Sequence, residues 1–265
     1  MDSVAHISFQ NLTLAISGLE ILNNISMDIL EGELFALIGP NGAGKTSLLN
    51  CASGIYHPTK GEVLFRSWNV ATLRSHEVAK CGIARTFQFA ELFQHMTVLD
   101  NMLVGRHTKM EKTLLSNGLF WGKTVDEEVR HRQRVEEIID FLELEKFRKR
   151  LASSLPYGMQ KIVGLGRALA MEPKILLLDE PSAGMNRQEK EDLARFILRI
   201  KHEMKITMIW VEHDMQLVGD LADRIGVLNF GNKIAEGVPE EVLENPRVVE
   251  AYLGSRASGR ERRQA

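Results

Sequence analysis

The chain has 265 residues, a net charge of −2, 44% hydrophobic and 26% charged residues. That is the composition of an ordinary globular protein with enough length for a substantial core, as one large domain or two small ones, and it excludes a general field favouring nucleic acid or anionic lipid. Two cysteines, Cys51 and Cys81, are too few for a disulfide framework or a cysteine-based metal site.

No apolar run approaches the ~18–20 residues that span a bilayer. The start Met1-Asp2 lacks the basic-then-apolar order of a signal peptide. The expectation is a cytoplasmic chain that reaches a membrane by docking to a spanning partner.

The chain begins as β structure: Ile25, Met27 and Ile29 alternate with Ser26 and Asp28, the period of a half-exposed strand. Glu31-Gly32 supplies a turn. Leu34–Ile38 is continuously apolar, the mark of a strand covered on both faces. A glycine-rich loop follows at Gly39–Gly44, then a helix from Lys45 closed by Gly54 and Pro58. Another strand is predicted over Glu62–Phe65. From about Arg74 to Leu155 the chain is charge-rich, with Val135, Ile138, Ile139 and Leu142 at i, i+3, i+4, i+7, which predicts a mostly helical insertion. A helix near Gln160, stopped by Pro173, precedes the strand Ile175–Leu178. A helix over Glu189–Met204, a strand over Ile206–Val211, a short helix around Met215–Ala222 and a strand over Ile225–Phe230 complete the alternation. Strands alternating with helices predict an α/β sheet with parallel strands, joined by an antiparallel piece from the β-rich start. The basic tail Arg256–Ala265 reads as disordered.

Gly39-Pro40-Asn41-Gly42-Ala43-Gly44-Lys45-Thr46 fits G-x-x-x-x-G-K-[ST] between a buried strand and a helix. The glycines let several backbone N–H groups face one phosphate chain, and the helix N-terminus adds its dipole. Lys45 can reach the β- and γ-phosphates, and the Thr46 hydroxyl can ligate Mg²⁺. The loop alone does not choose among ATPases, GTPases and kinases. A guanine reader needs N-K-x-D; here Asn232-Lys233-Ile234-Ala235 has Ala in place of the carboxylate, in a hairpin-like context.

The apolar strand Ile175–Leu178 ends in Asp179-Glu180. Consecutive strand residues point to opposite sides, so the two acids take different tasks. Asp179 can hold Mg²⁺ through its water shell, and Glu180 can polarise a water that attacks the γ-phosphate.

Together these motifs resemble the ABC transporter ATPase family, along essentially the whole chain up to about Gly254. Leu155-Pro156-Tyr157-Gly158-Met159-Gln160 stands at the place of the family's signature, Thr86-Phe87-Gln88 is similar to its Q-loop, His213 to its switch histidine, and Ala183-Gly184-Met185-Asn186 occupies its D-loop. The resemblance implies a P-loop NTPase fold of the ABC cassette type: a mixed core sheet, an antiparallel β subdomain and a helical subdomain at roughly 90–160, within a single domain over 1–254 and a tail over 255–265. ATP and Mg²⁺ are the implied cofactors. The nucleotide-binding set is Gly39, Pro40, Asn41, Gly42, Ala43, Gly44, Lys45, Thr46 and Ser47, with Ile16 where an adenine-stacking aromatic is usual, and Tyr157 and Gly158 facing the nucleotide of a second subunit. Glu180, His213 and Gln88 form the implied catalytic set; Thr46, Gln88 and Asp179 form the metal set. Pro156 replaces a serine whose hydroxyl contacts the opposite γ-phosphate, which leaves the N–H groups at Gly158–Lys161 for that contact. Asn186 replaces an aspartate and carries no charge.

The signature, the D-loop, the helical insertion and the closing Ala251-Tyr252-Leu253-Gly254 resemble the branched-chain amino acid transporter subgroup. That implies a bacterial importer: a second ATPase subunit (a copy or a sister) arranged head to tail, two membrane permease subunits, a periplasmic solute-binding protein, and attachment to the inner face of the cell membrane. Hydrophobic amino acids are the implied cargo, with urea and short amides in related systems. Phe89, Leu92 and Phe93, just past Gln88, have two readings: packing against the helical insertion, or an apolar groove for a membrane subunit. Two other readings are a non-transport ABC ATPase of translation or DNA repair, and a nucleotide-dependent regulator. The first would bring a second cassette or a long coiled coil, and the second would lack the roles of Glu180 or His213.

Overall fold

The computed structural model describes residues 5–86, 91–109 and 123–261. Strands β1 (Ala5–Ile16) and β2 (Leu19–Leu30) form a long antiparallel hairpin. Ile25, Met27 and Ile29 of β2 are buried and Ser26 and Asp28 exposed, so the period-two pattern sets which face meets the core. Strand β4 pairs with β1 on its other side, following β3 (Leu34–Ile38) and α1 (Lys45–Ala52) in the chain; β4 is Lys60–Phe65 and β5 is Trp68–Asn69. The antiparallel sheet has the order β2-β1-β4-β5.

The second sheet has six strands among the described residues. It is built from β3, β6 (Ile83–Thr86), β7 (Ile175–Asp179), β8 (Thr207–Val211), β9 (Arg224–Asn229) and β10 (Asn232–Gly237), in the order β10-β9-β3-β8-β7-β6. All neighbours are parallel except the β9–β10 hairpin. Every residue of β3, β7 and β8 is buried, as continuous apolar runs require of strands covered on both faces. Alternation divides their side chains between two cores. Phe35, Leu37, Ile175, Leu177, Ile209 and Val211 pack with α1 and the antiparallel sheet. Leu34, Ala36, Leu176, Leu178, Met208 and Trp210 pack with the helices of the other face. The fully buried Trp210 hydrogen-bonds through Nε1 to Glu212 Oε2 at 3.3 Å; truncating such a side chain to alanine costs about 3–5 kcal/mol.

Helix α2 (Ser75–Cys81) precedes β6. Then α3 (Val98–Gly105), α4 (Lys123–Phe141) and α5 (Tyr157–Leu169) form the helical face. Val135, Ile138, Ile139 and Leu142 are all buried there, as their spacing predicts. The rest of the chain is α6 (Arg187–Arg199), a π-helical turn at Ile200–Met204, α7 (Met215–Leu221), α8 (Pro239–Leu243) and α9 (Pro246–Glu261). No helix among the described residues is long and apolar enough to cross a membrane.

One expectation is made finer and one is corrected. The mostly helical stretch 74–155 also holds Ile83–Thr86, the edge strand of the parallel sheet, paired in register with Ile175–Leu178. Four residues interrupted by Arg85 are too short for a periodic signal, and their conformation is set by β7. The tail expected to be disordered from residue 255 is helical to Glu261, because α9 is anchored by Val248 and Tyr252 on the core and its backbone hydrogen bonding continues past them.

The two sheets are joined by a buried polar link. His6 Nδ1 lies 2.6 Å from Thr207 Oγ1, which also accepts the Gly32 N–H at 2.8 Å, while Arg66 Nε stands 3.2 Å from His6 Nε2. A guanidinium only donates, so Nε2 accepts and Nδ1 carries the proton to Thr207. Burial is the largest influence on His6 and lowers its pKa; Glu31 opposes this, and Arg66 and Lys174 add to it. The folded state therefore binds fewer protons than the unfolded chain just below pH ~6.5. The resulting stability is fully present above that pH and is lost as pH falls through the window down to the lowered folded pKa. The melting temperature should fall from pH 7.5 to 5.5 with a steeper slope in the wild type than in His6→Asn, which keeps a donor to Thr207 and does not titrate. Equal slopes in matched thermal melts would show that His6 contributes no proton linkage.

Candidate functional site

Ligands of open α/β sheets bind beyond the C-terminal ends of the strands, and four adjacent strands, β3-β8-β7-β6, converge there. Strand β3 runs into the glycine-rich loop and α1. Gly39 has φ 147°, and a Cβ there would lie 2.0 Å from the Leu228 carbonyl oxygen. Gly44 has φ 103°, and its Cβ would meet Leu22 Cδ2 at 2.7 Å. A side chain at either position would be strained and crowded, so the backbone closes into a tight loop, held also by the Ala43 N–H donating to Pro40 O at 3.1 Å. The Gly231 N–H donates to Ala43 O at 3.1 Å and fixes the loop against the β9–β10 turn.

Lys45 is buried and donates to Gly39 O at 2.8 Å and Pro40 O at 3.0 Å, which folds its ammonium over the loop. Burial lowers its pKa, opposed by the charges of Glu180 and Asp179. Thr46 is exposed and Ser47 half-buried at the start of α1; Asn41 and Gly42 are exposed at the loop rim, Pro40 half-buried, and Ala43 buried.

Asp179 has the strand parity of Ile175 and Leu177, which face α1. Its Oδ1 therefore meets Thr46 Oγ1 at 3.4 Å. Glu180 follows in a left-handed turn, φ 47°, a conformation costing ~1–2 kcal/mol for a residue with a Cβ. Its N–H donates to Val211 O at 3.0 Å, its carbonyl accepts from Lys161 Nζ at 3.1 Å, and its Oε1 is 2.7 Å from His213 Nε2. A carboxylate only accepts, so Nε2–H of His213 is the donor. The His213 N–H in turn donates to Glu212 Oε1 at 2.9 Å. The sequence therefore leads to one cluster: phosphate loop, Asp179, Glu180 and His213. Gln88 lies outside the described residues, as does Phe89.

Helix α5 starts with Pro156 as its N-cap, so the N–H groups of Tyr157, Gly158 and Met159 have no partner within the helix. Tyr157 is exposed, its ring 5.4 Å beneath the Lys161 ammonium. Gly158 is buried against Glu189. Asn186 serves as the N-cap of α6, accepting the Glu189 N–H at 3.0 Å; a neutral side chain suffices for that bond. Ile16 ends β1 beside the hairpin turn and is 39% exposed. Leu92 is a core residue, whereas Phe93 is 54% exposed, so the predicted groove set is divided. The Phe93 backbone is fixed from beneath by buried Asn101, whose Oδ1 accepts the Phe93 N–H at 2.9 Å.

Three residues given no side-chain role by the sequence belong to the cluster. Arg85 pairs with Asp179, and Lys161 donates to the Glu180 and Pro181 carbonyls. Tyr252 is the third: burial pushes its phenol up to about 12, against a backbone hydrogen bond with Gly39. The sequence names Tyr252 within the closing Ala251-Tyr252-Leu253-Gly254 motif, without a contact to the phosphate loop. Arg85 gives no sign in the sequence, because the strand that carries it has none.

Comparison with known proteins bears on the family and the fold. The family model described as "ABC transporter" matches residues 22–183, and one described as "Branched-chain amino acid ATP-binding cassette transporter" matches residues 232–258. The Escherichia coli (strain K12) high-affinity branched-chain amino acid transport ATP-binding protein LivG is 39% identical over 251 residues, covering 94% of this chain and 97% of that protein. The ADP conformation of an ATP-binding cassette of an ABC transporter superposes with a TM-score of 0.83 at 32% identity, covering 95% of this chain and all of the other. A dimeric bacterial ABC transporter cassette gives a TM-score of 0.74 at 27% identity, covering 88% and 98%.

Proposed function

Since the chain belongs to the ABC transporter family as an ATP-binding and ATP-hydrolysing subunit with strong homology to the branched-chain amino acid transporter ATPases, we propose that it powers import of branched-chain amino acids or related small solutes through membrane permease subunits. The observation that carries the ATPase chemistry is the convergence of the phosphate loop, Asp179 and the Glu180–His213 pair on neighbouring strand ends. The match of residues 232–258 supports the cargo class.

In this reading the N–H groups of the loop and α1 bind the nucleotide phosphates, and Lys45 turns from the Gly39 and Pro40 carbonyls to the β- and γ-oxygens. Thr46 and Asp179 fit a divalent cation, since both present oxygens to one point beside the cradle. Bound Mg²⁺ supplies charge neutralisation on the phosphates. Glu180 accepts a proton from the attacking water, and His213, hydrogen-bonded to it, fixes its direction. Gln88, by resemblance, joins this metal and catalytic set. Lys161 holds the Glu180 backbone in its left-handed turn. The open N–H groups at Tyr157–Met159 face the γ-phosphate bound by a second ATPase subunit, so two chains close head to tail on nucleotide. The chain works at the cytoplasmic face of the membrane, with a solute-binding protein delivering cargo on the other side.

Coupling is assigned to the surface at Phe93, an exposed large apolar group on a rigidly held backbone. The test is co-expression with branched-chain amino acid permease subunits and reconstitution for leucine uptake. Phe93→Ala should reduce pull-down of the permease in detergent and lower ATP-dependent uptake. The isolated variant should keep its melting temperature and hydrolysis rate. Full pull-down together with a large drop in melting temperature would make Phe93 a folding residue and move the coupling surface elsewhere.

A further inference from the structure

Arg85 is nearly enclosed. Its side chain is 7% exposed and that of its partner Asp179 is 5% exposed. Nη2 donates to Asp179 Oδ2 at 2.7 Å, while Nη1 donates to Asn50 Oδ1 at 2.5 Å and to Ser53 Oγ at 3.2 Å. Asn50 lies in the last turn of α1 and Ser53 caps it, with Ser53 Oγ donating to Leu49 O at 2.8 Å. One guanidinium thus ties the end of the phosphate-loop helix to the acid at the end of β7. The two carboxylate oxygens are divided: Oδ2 is held by Arg85, and Oδ1 is turned toward Thr46.

We propose that Arg85 is a positioning residue for the divalent cation of the ATPase, locking the Asp179 carboxylate so that Oδ1 alone faces the metal beside Thr46. The inference rests on the role given above to Asp179. A carboxylate with one oxygen fixed cannot rotate to chelate the cation through both oxygens or swing out of line. A planar fork anchored at two ends restricts that rotation. An ammonium cannot span Asn50, Ser53 and Asp179 in the same plane. The strand supplies the alignment: Arg85 shares the parity of Ile83, whose side chain also packs on the α1 side of the sheet.

The experiment measures the affinity of a fluorescent ATP analogue for the full chain at a series of free Mg²⁺ concentrations, and again in EDTA. Thermal melts run beside each variant. Asp179→Asn is the reference. If it leaves the Mg²⁺ midpoint unchanged, the role of Asp179 itself fails, and the proposal with it. Given a shift there, Arg85→Gln should raise the Mg²⁺ midpoint about 10-fold or more, the range for losing a residue that orients a metal ligand. Arg85→Lys keeps the charge and should raise the midpoint by a smaller factor. Affinity in EDTA should stay within about 2-fold of wild type, since the phosphate cradle is untouched. Asn50→Ala frees one anchor without touching Asp179, and should shift the midpoint in the same direction even if Arg85→Gln does not fold. An unchanged midpoint in a folded Arg85 variant and in Asn50→Ala overturns the proposal. So does a parallel loss of affinity in EDTA, which would make Arg85 a general structural support. A wild-type midpoint for Arg85→Lys would reduce its role to charge alone and overturn the positioning.

Discussion

Lys45→Ala should lower ATP turnover by about 100-fold or more, the scale on which enzymes lose rate when a preorganised charge contact to the reacting group is removed. The side chain is the buried cation of the cradle, and it now rests on the Gly39 and Pro40 carbonyls. Its removal withdraws the charge that meets the β- and γ-phosphates, so nucleotide affinity should fall as well. Phosphate release measured at saturating ATP separates the two losses: higher ATP restores occupancy and leaves the rate deficit. The Pro40 carbonyl is half-buried and can be solvated, whereas the Gly39 carbonyl is buried and loses its donor, so a modest drop in melting temperature should accompany the rate loss. Wild-type turnover in the variant would remove Lys45 from the phosphate site.

Glu180→Gln should bind ATP with near wild-type affinity while losing roughly 10²–10⁴-fold in turnover, the range for a general base. The amide oxygen can still accept from His213 Nε2, which now stands 2.7 Å from Glu180 Oε1, so the local geometry is kept and only proton acceptance is lost. With ATP and Mg²⁺ the variant should accumulate as a dimer on size-exclusion chromatography, because the bound γ-phosphate holds both subunits and is not removed. Turnover at the wild-type rate would place the base elsewhere. A variant that neither hydrolyses ATP nor dimerises would detach dimer closure from ATP occupancy.

The parts of the fold that could be read from the sequence are those whose burial leaves a pattern. Leu34–Ile38 and Ile175–Leu178 are covered on both faces and so appear as unbroken apolar runs, and Ile206–Val211 as a run broken only by the hydrogen-bonded Thr207. The helix carrying Val135 and Ile139 repeats every three or four residues because one stripe faces the core. Strand β6 left no such trace, since its four residues hold a buried arginine and depend on pairing with β7. The phosphate loop and Asp179-Glu180 could be read because their chemistry is local in sequence. The partners of those residues could not: Arg85 reaches Asp179 across 94 positions, and Lys161 reaches the turn at Glu180 from helix α5. Leu92 and Phe93 are chemically alike and adjacent, yet one is in the core and the other faces outward. Asn186 illustrates the reverse case. Asn-x-x-Glu is a helix-start pattern visible in the sequence, and the structure uses it as a cap at the head of α6.

The parallel sheet also acts as a ruler. With strands about 4.8 Å apart, the ends of β3 and β7, separated by β8, stand about 10 Å from one another. The ladder of main-chain hydrogen bonds fixes that interval, whatever the surrounding loops do. Inserting or deleting one residue inside β7 would leave the interval unchanged but reverse the parity of its last positions. The carboxylate of Asp179 would then point toward the helical face, and that of Glu180 toward α1. Lineages of this cassette should therefore hold the residue count of β7 constant.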